Sequence, residues 1–127
     1  MISNLAMTSS LEYVGLFGYS KGLTIKNVIL DLSCSITSSF SGSGASIGGI
    51  IGQCYASNGP CTIENSVNMG SASFRGVPNV SLYLGSIAGY LESFSNFDST
   101  VKNCANYGDL TYSGTSDYTS IIGGIVG

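Results

Sequence analysis

The chain repeats itself. Segments 24–38 (TIKNVILDLSCSITS), 62–76 (TIENSVNMGSASFRG) and 100–114 (TVKNCANYGDLTYSG) align without gaps at an offset of 38 residues. A second block recurs ahead of each: Gly15-Leu16-Phe17-Gly18, Gly49-Ile50-Ile51-Gly52 and Ser86-Ile87-Ala88-Gly89, then once more as Gly124-Ile125-Val126-Gly127. The steps Gly18 to Thr24, Gly52 to Thr62 and Gly89 to Thr100 are 6, 10 and 11 residues. The other connection stays almost constant. A fixed framework with one variable loop predicts a solenoid whose insertions bulge from one corner.

The coils are not helical. Their blocks are rich in β-branched residues and broken by Gly and Asn. Three short strands per coil are expected: the Gly-Ile-Val-Gly block, the Thr-Ile-Lys-Asn block, and the block holding Ala72 and Phe74, or Leu110 and Tyr112. Stacking such coils about 4.8 Å apart gives an all-β, parallel β-helix, right-handed by the crossover rule. The single solenoid segment would span residues 1–127, with coils near 15–48, 49–85 and 86–123 and a further coil begun at 124–127. Coil lengths run roughly 34–38 residues. The segment reads as a piece of a longer repeat protein.

Each alignment column then becomes a ladder. Ile25, Ile63 and Val101 stack inward, as do Leu16, Ile50, Ile87 and Ile125. A period of two places Cys34, Ala72 and Leu110 inside, with Ile36, Phe74 and Tyr112. Cys104 shares a column with Val28 and Ser66, and both Cys34 and Cys104 read as structural thiols. Asn27, Asn65 and Asn103 form one corner column, and Asn68 with Asn106 a second. Asn suits a corner because its side chain tolerates left-handed backbone and bonds neighbouring peptide groups. Lys26, Glu64 and Lys102 share an outward column of alternating sign, which favours this register.

Composition narrows the function. Apolar residues make up 43% and charged residues 9%, so disorder is excluded. Gly is abundant at 18 residues, yet no G-X-Y period makes it collagen. A net charge of −3 with only Lys21, Lys26, Arg75 and Lys102 leaves no footprint for nucleic acid. No apolar run approaches the roughly 20 residues of a membrane span, and the first residues lack the pattern of a signal peptide. The recurring Gly-x-x-Gly has no following Lys-Ser/Thr or helix, so it is not a phosphate loop.

Cys54 and Cys61 bracket a polar loop that a disulfide can close, which implies an oxidising, extracellular setting. Two free thiols in a reducing cell are the alternative. No metal-ligand pattern accompanies them. Asn79-Val80-Ser81 fits the N-glycosylation triplet.

The blocks Gly15-Leu16-Phe17-Gly18 with Thr24-Ile25-Lys26-Asn27-Val28, and 47–52 with 62–70, resemble the GLUG-motif repeat. That repeat is found in large surface or secreted proteins, including bacterial adhesins and non-catalytic regions of immunoglobulin A proteases. The resemblance runs from about Tyr13 onward. It implies a β-solenoid stalk or passenger at a cell surface and carries over no catalytic residue. The first unit departs from it, with Leu30, Asp31 and Leu32 where later units have Asn-x-Gly. This corner is expected to differ.

Catalysis finds little support. Without His, imidazole chemistry is excluded. Among the seven carboxylates, only Glu92 and Asp98 lie close together in sequence, within one inserted loop. A glycosidase needs two acids facing each other at about 5–9.5 Å. The Asp-x-Asp spacing of a Ca²⁺ loop is missing. The sequence therefore points to a non-enzymatic structural or adhesive repeat at the cell surface, or secreted, with no cofactor. Its contacts would come from corner loops 19–23, 53–61 and 90–99, through Tyr19, Tyr55, Tyr90, Phe94 and Phe97. Partners would be protein or glycan on a host or neighbouring cell surface, or adjacent repeats of the same chain. The rival readings are a carbohydrate-binding or carbohydrate-processing β-helix and a self-assembling filament segment.

Overall fold

The structure, a computed structural model, describes residues 1–75, 80–94, 96–114 and 119–127. Among them are seventeen strands and no helix. The path runs through β1 (Ala6–Ser9), β2 (Tyr13–Val14), β3 (Phe17–Ser20), β4 (Leu23–Lys26) and β5 (Ile29–Leu30). It repeats as β6 (Ser35–Ser38), β7 (Gly44–Gly48), β8 (Ile51–Ala56), β9 (Cys61–Glu64) and β10 (Val67–Asn68). A third turn holds β11 (Ser71–Arg75), β12 (Ser81–Gly85), β13 (Ala88–Ser93), β14 (Ser99–Lys102) and β15 (Ala105–Asn106), followed by β16 (Leu110–Ser113) and β17 (Ser120–Gly123).

Strands in the same position of successive turns pair in parallel. Sheet 1 is β1-β6-β11-β16, sheet 2 is β2-β7-β12-β17, and sheet 3 is β3-β8-β13. Sheet 4 is β4-β9-β14 and sheet 5 is β5-β10-β15. The protein is a parallel β-solenoid. The three expected strands are all present, in sheets 3, 4 and 1. Each turn adds two more, in sheets 2 and 5. Sheet 5 is two residues long and hides behind the Asn corner, while sheet 2 varies in sequence from turn to turn (GASIG, SLYLG).

The aligned columns stack as hydrogen-bonded rungs in sheet 4, where Thr24, Thr62 and Thr100 share one register and Ile25, Ile63 and Val101 the next. Ile25 and Ile63 are buried, and Val101 packs against them. Leu16, Ile50, Ile87 and Ile125 join the same core. The offset of 38 fails in one place. In sheet 1, Ala72 and Leu110 stack on Ile36, and Phe74 and Tyr112 on Ser38. Cys34 therefore does not join the Ala72–Leu110 ladder, and Ile36 does not pair with Phe74. The cause is the first Asp31 corner. Leu30 to Ile36 spans six positions, whereas their partners Asn68 and Ala72 are four apart. Asp31 organises the two extra residues. Its carbonyl accepts the Cys34 N–H at 3.0 Å, and its carboxylate accepts the Ser33 N–H at 2.8 Å and the Ser33 hydroxyl. A shift of two keeps every side chain on its original face, so Cys34 stays buried.

The core is divided. Sheets 3, 4 and 5 enclose one cluster, with Ile25, Leu30, Ile50, Cys54, Ile63 and Ile87. Sheets 1 and 2 enclose another, with Val14, Ile36, Ile47, Phe74, Leu82 and Leu84. Asn68 bridges them. Its Nδ2 donates to the Ser86 carbonyl at 3.1 Å, and its Oδ1 accepts the Gly70 N–H at 3.0 Å. The turn is thus pinched at the corner between sheets 2 and 3.

Glycine makes that pinch possible. A Cβ on Gly52 would lie 2.6 Å from the Gly18 carbonyl oxygen, 2.7 Å from the Val14 nitrogen and 2.9 Å from the Ser46 oxygen. These are all backbone atoms, so the close approach of sheets 2 and 3 requires no side chain there.

Candidate functional site

At the pinched corner the outward side chains of sheets 2 and 3 meet. Tyr13 of β2 packs on Tyr19 of β3, ring centroids 5.1 Å apart at 39°. Two turns along, Tyr83 of β12 packs on Tyr90 of β13, 4.6 Å apart at 48°. Between them Ser46 Oγ donates to Gln53 Oε1 at 3.3 Å. Tyr13, Ser46 and Tyr83 share one register in sheet 2, and Tyr19, Gln53 and Tyr90 one in sheet 3. Outer faces that touch in this way form a re-entrant edge parallel to the solenoid axis.

Two carboxylates reach the edge. A hydrogen bond to Glu12 is the chief reason the Tyr13 pKa is pushed up to about 12, with burial and the Glu12 charge adding to it. Burial first, then the Glu92 charge, raises that of Tyr90. Both phenols are held in the neutral, proton-bearing form.

Tyr55 and Tyr90 were expected in corner loops but stand on strands β8 and β13, as Tyr19 stands on β3. The strands run past the glycine block because their inward residues, among them Cys54, Ala56 and Leu91, still pack into the core. Tyr55 reaches Phe94, ring centroids 5.3 Å apart. Phe94 and Phe97 close the inserted loop as a small antiparallel bridge, with N–H to O distances of 3.3 and 3.2 Å. Both are exposed, at 51% and 38%.

Cys54 and Cys61 are joined by a disulfide with Cα atoms 6.1 Å apart, linking β8 to β9 beneath the 57–60 loop. Both are buried. Asn27, Asn65 and Asn103 all adopt left-handed backbone, with φ of 59°, 50° and 51°. Asn103 Nδ2 donates to Asn65 Oδ1 at 3.2 Å, so the amides bond up the ladder. Of the alternating charge column, Lys26 and Glu64 form an ion pair at 3.1 Å, the one ion pair among the described residues. Lys102 shares only the register of Glu64. Asn79 lies outside the described residues.

Glu92 stands on β13 in register with Tyr55, while Asp98 joins the framework through its carbonyl, which accepts the Cys61 N–H at 3.1 Å. Among the described residues no three His, Cys, Asp or Glu gather as a metal site, and no pocket opens. No helix there is long and apolar enough to cross a membrane.

Sequence reading missed Tyr13 and Tyr83. Their signal is local: Tyr13 and Tyr19 flank the first glycine block, Tyr83 and Tyr90 the third, and Ser46 and Gln53 the second. Four of the eight tyrosines thus gather at one edge, and Tyr55 lies two residues beyond it on β8. No known protein family, curated protein or solved structure matches the chain.

Proposed function

We propose that the chain is a non-catalytic repeat segment of a cell-surface or secreted protein, whose stacked body serves as a stalk and whose tyrosine edge makes the contacts. The gathering of four tyrosines on one outward corner carries this reading. Tyrosine offers large contact area at low cost in side-chain freedom. A body bonded rung to rung suits a spacer, since each turn leans on its neighbours. The disulfide fits an oxidising compartment. The sequence likeness to GLUG-motif repeats points to the same place.

Beads coated with the protein test the reading by their adhesion to cultured cells. Tyr19→Ser/Tyr90→Ser should lower adhesion several-fold with thermal unfolding unchanged. Equal adhesion by the two proteins overturns it.

A second reading, carbohydrate binding, is favoured by the Ser46–Gln53 pair set between the ring pairs. Rings suit the apolar faces of sugars, and amide and hydroxyl groups suit their hydroxyls. A glycan array separates the two readings: selective binding that falls in Tyr90→Ser supports the second, and an empty array removes it.

A further inference from the structure

We propose that the tyrosine edge binds a basic, proline-rich peptide in polyproline II conformation, lying along the solenoid axis with lysine or arginine at every third position. This deepens the contact-surface reading and rests on it.

The edge holds the same chemistry twice. Tyr13, adjacent to Glu12 in the chain, meets Tyr19, and Tyr83 meets Tyr90, which Glu92 follows two residues on along the same face of β13. Tilted aromatic rings beside a carboxylate suit an ammonium or guanidinium group, which gains from both the ring face and the opposite charge. The repeat does not account for the acids. Glu12 precedes the sheet 2 tyrosine of its turn, whereas Glu92 follows the sheet 3 tyrosine of its own. The turn between them lacks the acid along with the rings, and offers Ser46 and Gln53.

Spacing selects the ligand conformation. The two sites are two rungs apart, about 9.6 Å at ~4.8 Å per rung. Polyproline II has three residues per turn and rises 3.1 Å per residue, so side chains i and i+3 share a face about 9.3 Å apart. One basic side chain would then fall at each tyrosine pair. A β-strand repeats its face every two residues, about 6.7 Å, and misses this spacing. Polyproline II also leaves its carbonyls unbonded, and the amide of Gln53 lies between the two sites as a donor to them. Aromatic-lined surfaces are the usual seats of such segments.

Charge agrees. Lys26 and Lys102 belong to sheet 4 and Arg75 to the end of sheet 1, away from the edge. Lys21, next to Ser20, falls by register in the column of Tyr55 and Glu92, two turns from Glu92, and is the one basic residue beside this surface. The chain carries net charge −3.

The test is fluorescence anisotropy of a labelled Pro-Pro-Lys repeat titrated with the folded protein. The lysine peptide should bind about ten-fold more tightly than a Pro-Pro-Glu repeat, a difference that shrinks as salt is added. Affinity should peak when lysines are three residues apart rather than two or four. Glu12→Gln/Glu92→Gln should weaken binding several-fold, and Tyr19→Ala/Tyr90→Ala should weaken it further. The Gln variants change only charge, so they test the proposal even where the Ala variants disturb folding. Equal binding of lysine and glutamate peptides, no optimum at three, or Gln variants that bind like the parent each overturn the proposal. If the peptide fails to bind while Tyr19→Ser/Tyr90→Ser still lowers bead adhesion, the peptide proposal falls and the contact surface stands.

Discussion

Asn65 sits at a corner with φ of 50° and accepts the Asn103 amide at 3.2 Å. The first property is intrinsic to asparagine, and the second exists only because the turns stack. Replacement separates them. Asn65→Ala loses both and should cost about 1–3 kcal/mol, read from denaturant unfolding. Asn65→Gly keeps the left-handed backbone free of strain and should cost less. Equal losses would show that the backbone conformation contributes nothing. Tyr13 makes a second residue-scale prediction. Its pKa rises in the folded state from 10 to about 12, so its contribution to stability is present below pH 10 and is lost as pH climbs through 12. Tyrosinate absorbance should show one phenol ionising late in the folded protein, and Glu12→Gln should bring that step down. The left-handed Asn columns could be read from sequence because the requirement lies in the residue itself. The raised Tyr13 pKa could not, since it depends on where the Glu12 carboxylate lies relative to the ring.

Among the elements, the contact between sheets 2 and 3 depends on bare glycine. Gly52→Ala would press a methyl against three backbone atoms and should destabilise by about 2 kcal/mol or more. A Cβ at Gly124 would meet nothing within 4 Å, so Gly124→Ala should be near neutral. If both substitutions cost the same, the pinch is not the reason for Gly52. The disulfide acts at this scale as well. It closes a loop of sequence separation 7 between β8 and β9. Cys54→Ala/Cys61→Ala should lower stability by about 2–3 kcal/mol. The intact mass of the unreduced protein should lie two hydrogens below that of the reduced one. Repeat comparison located the strands of sheets 3, 4 and 1, whose blocks recur. It missed sheet 2, where what recurs is an alternation of inward side chains such as Ala45 with Leu82 and Ile47 with Leu84, not the residues themselves.

For the molecule as a whole, the buried Asn68 amide spans the seam between the two cores. Asn68 satisfies the Gly70 N–H and the Ser86 carbonyl from a buried position. Asn68→Ala leaves the Gly70 N–H unpaired, while the Ser86 carbonyl keeps the Gly49 N–H at 3.0 Å, and should cost about 1–3 kcal/mol for the one buried group left without a partner. Thermal unfolding followed at tyrosine and by backbone circular dichroism should coincide in the parent. Divergence of the two signals in Asn68→Ala would mean that the cores unfold separately once the amide is gone. Coincidence with no loss of stability would remove the bridge from this account.

The sequence by itself determined that the chain forms a solenoid, which columns stack in sheet 4, and where the Asn corners lie. These follow from residues repeated every turn, because stacked rungs ask the same backbone geometry and the same inward packing of each copy. The odd first corner was also legible, since Leu30-Asp31-Leu32 breaks the Asn-x-Gly pattern. Its two extra residues and the resulting shift in sheet 1 were not, because a shift of two preserves every face and leaves no mark on periodicity. Only the tertiary structure decided the five-sheet path, the divided core and the tyrosine edge. Which outward side chains meet depends on how sharply the chain turns at Gly52 and its counterparts, and that angle is set by backbone contact between turns.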